Sequence, residues 1–175
     1  AIWHDEEGRA SAVKNCSAYA IKMKRPPQLG RYHPGFAWGF RREAFEALGG
    51  WYDLIATGNT DGAFSFCFND DEGTQGLLKW FSNNQDPVVG SPDFKLYRRK
   101  VLALGLRVDY LKSSSVVHLW HGNPSDRQYI SRKDLFSRNE DNSYPVHKRK
   151  DGLLMWDNEE LSNVGPKKYF LDKKD

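Results

Sequence analysis

Apolar residues recur at helical spacing in two stretches of the chain and alternate in shorter runs between them. After Asn59-Thr60, a pair able to cap a helix, Phe64, Cys67 and Phe68 fall at i, i+3 and i+4, which predicts a helix with one core-facing stripe and Asp61 in its first turn. Ser91-Pro92-Asp93 is an N-terminal signature, and the helix it opens places Phe94, Tyr97, Val101 and Leu104 on one face and Lys95, Arg98 and Arg99 on others. Gly105 ends it. Arg41 to Leu48 is made of good helix formers, and Gly49-Gly50 supplies the left-handed backbone that closes a helix and reverses the chain into Trp51-Tyr52-Asp53.

Between these helices the pattern changes. Phe36-Ala37-Trp38-Gly39-Phe40 alternates in the manner of a strand, and Leu106 to Tyr110 with Ser115 to Leu119 read as one or two strands leading to His118 and His121. Ser11 to Lys24 mixes small and β-compatible residues until Arg25-Pro26-Pro27 stops any regular element. The acidic run Asp70-Asp71-Glu72 reads as a solvated loop, Asp126 to Arg138 as another helix, and everything beyond Arg138 as a polar, loosely packed tail. The fold expected is α/β, a small mixed sheet flanked by helices, with a domain over 1–138 and a polar C-terminal extension over 139–175. There is no internal repeat.

Composition changes this picture little. A chain of 175 residues with 39% hydrophobic content can bury one core, so one domain is expected rather than two. The net charge of +3 permits phosphate-bearing ligands but argues against a dedicated nucleic-acid binder. The opening Ala1-Ile2-Trp3-His4-Asp5-Glu6-Glu7 has neither the positive flank nor the apolar stretch of an export signal, and no apolar run approaches a membrane span, so a cytoplasmic chain without a membrane partner is expected. Cys16 and Cys67 lack metal-binding spacing and read as ordinary thiols.

Several residues carry candidate chemistry. Asp61 can be a helix-terminal acid stabilised by the helix dipole, or a general base that takes a proton from a sugar hydroxyl. His118 comes at the end of a strand, a rigid place for a site; on an extended chain His118 and His121 point to opposite faces, so one of the two is expected in a site. Trp38, Trp51, Trp120, Tyr52 and Tyr129 offer flat faces for a pyranose ring, and Arg127 and Arg132 could meet a diphosphate through bidentate hydrogen bonds. Each also has a structural reading, as core aromatic or solvated cation.

The run from His33-Pro34-Gly35 through Arg41-Arg42-Glu43 to Gly49-Gly50-Trp51-Tyr52-Asp53, followed about ten residues after Trp51 by Asp61, resembles the acceptor-side segment of GT-A glycosyltransferases, the family 2 and galactosyltransferase C-terminal group. Val117-His118-Leu119-Trp120-His121-Gly122 with Arg127 and Arg132 is similar to a later motif of the same enzymes. The resemblance implies transfer of a sugar from a nucleotide sugar to a glycan acceptor, with a divalent cation, Mn2+ or Mg2+. It implies Asp61 as catalytic base, His118 as metal ligand, and Trp38, Gly50, Trp51, Trp120 and His121 around the acceptor, with Arg127 and Arg132 on the diphosphate. The family's Asp-x-Asp motif does not occur before His33, and Asp61 is followed by Gly62 rather than by a second acid. The expectation is therefore the acceptor-side half of a GT-A domain, inactive without a nucleotide-binding half. Its exposed apolar surface would favour a homodimer, and a non-catalytic carbohydrate-binding module is the alternative.

Overall fold

A computed structural model describes residues 2–5, 7–13, 15–23, 32–33, 38–55, 60–84, 87–118, 139–141 and 143–158. The chain is a mixed helix and strand protein, broadly α/β. Strand β1 (Ile2–His4) is the centre of a three-stranded sheet, with β2 (Ala10–Val13) antiparallel on one side and β5 (Val117–His118) parallel on the other. Two smaller pairings follow, a parallel one between β3 (Asn15–Cys16) and β4 (Tyr32–His33) and an antiparallel hairpin of β6 (Val146–Lys148) and β7 (Leu154–Trp156). The expected mixed sheet exists. The helices, however, pack chiefly around one another and around aromatic side chains, and the extensive contacts of β1, β2 and β5 are with each other.

The helices form where local chemistry is strongest. Helix α2 (Arg42–Leu48) ends at Gly49, φ 79°, and Gly50, φ 92°, which cap and reverse it as expected. Helix α5 (Pro92–Ala103) begins with the Ser91 hydroxyl accepting the Phe94 amide at 3.3 Å and Pro92 in its first turn. Phe94 and Val101 point into the core, whereas Leu104 caps the helix and is 38% exposed, because the helix stops one residue before it. Helix α3 (Thr60–Ser65) forms where expected but tightens into a 3-10 turn over Phe66–Phe68. The tighter winding turns Phe66 inward beside Phe64 and Cys67, and Phe68 is only partly buried.

Four local expectations are corrected. Ser17–Lys22 is a helix, α1, following β3, because Ala20 and Ile21 gain burial there. Asp70 and Asp71 are exposed and irregular as expected, but Glu72 opens helix α4 (Glu72–Asn84), which Asp71 caps by accepting the Thr74 amide at 2.8 Å and its hydroxyl at 3.0 Å. Trp38–Phe40 and Leu106–Tyr110 hold no regular structure, since neither finds a partner strand to satisfy its backbone. Over residues 143–158 the C-terminal extension is not loosely packed, because Tyr144 is 3% exposed in the main core, Val146 packs against that core, and Lys148 reaches Asp53 at 2.7 Å; residues 159–175 lie outside the described residues. The helix expected over Asp126–Arg138 lies outside the described residues. Among the described residues no helix is long and apolar enough to cross a membrane.

Candidate functional site

Phe64, fully buried on α3, is the hub of an aromatic cluster. Its ring centroid lies 4.2 Å from Trp51, 5.4 Å from Trp38, 5.7 Å from Phe40 and 4.9 Å from Phe68. Trp38 stacks on Phe68 at 6.3 Å with 9° between the rings, and Phe40 lies 5.6 Å from Trp51 and 5.5 Å from Phe45. Such edge and offset contacts add to the area buried and fix the orientation of each ring. Trp38, Phe40 and Trp51 are only partly buried and Phe45 is exposed, so the outer side of the cluster meets solvent.

Asp61 lies in the first turn of the helix that carries Phe64. It precedes Phe64 by three residues on α3, so the two are neighbours on the helix surface. Its Oδ1 accepts the Gly62 amide at 2.8 Å, and no cation pairs with it among the described residues. A partly exposed carboxylate at the first turn of a helix is reachable by a ligand hydroxyl. The structure thus brings Trp38 and Trp51 together around Phe64, with Gly50 immediately before Trp51 in the chain and Asp61 one turn before Phe64 on α3. Trp120, His121, Arg127 and Arg132 lie outside the described residues.

His118 is on β5 opposite Trp3 of β1, where it is partly buried. Among the described residues no three His, Cys, Asp or Glu side chains gather as a metal site would require. Hard cations such as Mn2+ and Mg2+ are held by several oxygen donors, so the described residues around His118 do not fit such an ion and no chemical step is assigned to one. A shallow cavity of about 90 Å³ lies between Tyr52, Val88, Asp93, Tyr144 and Asp157, and it is lined by none of Asp61, His118, Trp38 or Trp51.

Helix α5 supplies residues that the sequence pattern did not single out as site members. Tyr97 donates its phenol hydrogen to the Gly50 carbonyl at 3.1 Å; burial, with a smaller contribution from nearby Cys67, pushes the phenol well above its ordinary pKa, so it stays a donor. Arg98 donates to the carbonyls of Phe66 at 3.3 Å and Asn69 at 2.6 Å and to the Asp70 carboxylate at 2.8 Å. That guanidinium, first by its hydrogen bond and then by its charge, holds the Asp70 carboxyl below its ordinary 3.8. A depressed folded value means that the stabilisation is present above the ordinary value and lost as the pH falls through the lowered one. Thermal melts should therefore show Asp70→Asn less stable than the parent near pH 6, with the gap closing toward pH 2.5; a gap that does not change with pH would exclude this ion pair as its source.

Cys67 is fully buried and its thiol is pushed up to about 12 by burial, which leaves it unreactive as a nucleophile. Neither cysteine is in a disulfide. Comparison of the chain with protein-family models, curated proteins and solved structures gives no match in any of the three.

Proposed function

We propose that this chain presents the acceptor-binding surface of a glycosyl-transfer system whose nucleotide-sugar-binding part is supplied by another segment or chain. The observation that carries this reading is the partly exposed pair Trp38 and Trp51, locked around Phe64, with the Asp61 carboxylate one helical turn away. Flat aromatic faces bind the apolar C–H faces of a sugar ring, and a carboxylate at their edge can accept a hydrogen bond from a ring hydroxyl. In transfer, Asp61 takes the proton of that hydroxyl as the oxygen attacks the anomeric carbon of the donor and the nucleoside diphosphate departs with the electron pair of the broken bond. The resemblance of residues 33–61 to glycosyltransferase acceptor segments supports the same assignment.

The second reading, a non-catalytic carbohydrate-binding module, uses the same surface without the proton transfer. Calorimetric titration of the chain with lactose, cellobiose, maltose and N,N'-diacetylchitobiose is expected to give weak binding of at least one, reduced about tenfold by Trp51→Ala. Absence of binding to all four at tens of millimolar would remove both readings. Addition of a nucleotide sugar discriminates between them. Release of nucleoside diphosphate that is slowed about a hundredfold or more by Asp61→Asn, with disaccharide affinity kept, is the result expected of a transferase.

A further inference from the structure

The Trp51 face and the Asp61 carboxylate belong to different segments. Trp51 follows the glycine turn after α2, and Asp61 begins α3. Two consecutive residues of α5 grip one segment each. Tyr97 bonds the Gly50 carbonyl at 3.1 Å, and its ring lies 5.2 Å from Tyr52, so it brackets Trp51 from both sides along the chain. Arg98, whose side chain is 12% exposed, bonds the Phe66 and Asn69 carbonyls immediately after α3. The Gly50 and Asn69 carbonyls lie just past the ends of helical turns, and the Phe66 carbonyl belongs to the first residue of the 3-10 turn that follows α3. Helix α5 is itself a capped, regular element, so its adjacent side chains stand in a fixed relation.

We propose that Tyr97 and Arg98 are positioning residues that set the separation between the Trp51 face and Asp61, and thereby select which acceptor hydroxyl meets the carboxylate. The inference rests on the reading of this surface as an acceptor site. Its mechanical half, the hold of α5 on the Trp51 turn, stands independently of any ligand. Tyr97→Phe keeps the ring and removes one hydrogen bond; Arg98→Lys keeps the charge but cannot reproduce the forked donation to two carbonyls.

The test uses the full chain labelled with 5-fluorotryptophan, with the Trp51 fluorine resonance identified by Trp51→Phe. Tyr97→Phe is expected to shift or broaden the Trp51 resonance and leave that of Trp156 in place, with unchanged circular dichroism. With the four disaccharides, Tyr97→Phe and Arg98→Lys are each expected to change the ratio of affinities between the best and second-best ligand by about fivefold, the scale of one lost hydrogen bond. A purely structural role would lower the melting temperature and weaken all ligands in the same proportion. An unmoved Trp51 resonance, or unchanged affinity ratios in both variants, overturns the proposal. If the parent chain binds no disaccharide, the acceptor reading and the selectivity claim fail together, whereas a shifted Trp51 resonance still establishes the hold of α5 on the turn. If Tyr97→Phe does not fold, the affinity ratio in Arg98→Lys decides.

Discussion

Replacing Phe64 by alanine is expected to cost about 3–5 kcal/mol of folding stability. The side chain has no exposed area and meets Trp38, Phe40, Trp51, Phe68 and Tyr97, so its removal leaves a cavity beneath rings that cannot collapse together without losing their orientation. A typical domain is stable by only about 5–15 kcal/mol, so the variant should unfold at markedly lower urea concentration. Its tryptophan emission should also move to the red as Trp38 and Trp51 gain water. A loss below about 1 kcal/mol in urea denaturation would show that Phe64 is not the hub that its ring contacts describe. Phe64→Leu, which retains most of the volume, should be milder.

The second large effect is expected at Tyr144. A residue in a loosely packed extension would tolerate alanine, yet Tyr144 is 3% exposed and shares the core with Tyr52, Val88, Phe94 and Val101. Tyr144→Ala should cost about 3 kcal/mol and raise hydrogen exchange both in the β6–β7 hairpin and in the Tyr52 segment beneath it. Lys148, held to Asp53 at 2.7 Å, gives an internal control. This pair is largely solvent-exposed, and Lys148→Ala should change stability by well under 1 kcal/mol. Equal, small effects at both positions would return residues 143–158 to the status of a tail.

How much was legible in advance divides along one line. Helix α2 with its Gly49-Gly50 end and helix α5 with its Ser91 cap were readable because cap, helix formers and terminator lie within a dozen residues of one another. The stripe of α3 was readable for Phe64 and Cys67 and failed at Phe66, since the change from α to 3-10 winding is imposed by what packs outside the segment. Helix α4 was missed because its acidic start looks the same in composition whether Asp71 solvates a loop or caps a helix. Trp38–Phe40 alternated like a strand, but alternation cannot supply the neighbouring strand whose hydrogen bonds would make it one.

The same division holds for the candidate site. Asp61, Trp38, Gly50 and Trp51 could be named from residue type and order, because a first-turn acid, a double-glycine break and its flanking aromatics are local patterns. That Trp38 and Trp51 close around Phe64, that His118 pairs beside Trp3 in the β1–β5 sheet, and that Tyr97 and Arg98 reach back to carbonyls far earlier in the chain could not. The sequence by itself determined where the chain must turn, cap and form its strongest helices, since those choices depend on backbone preferences within a few residues. Only the tertiary structure decided which aromatic faces are buried and which are presented, and that Tyr144 belongs to the core, because these follow from contacts between segments whose separation along the chain carries no local signal.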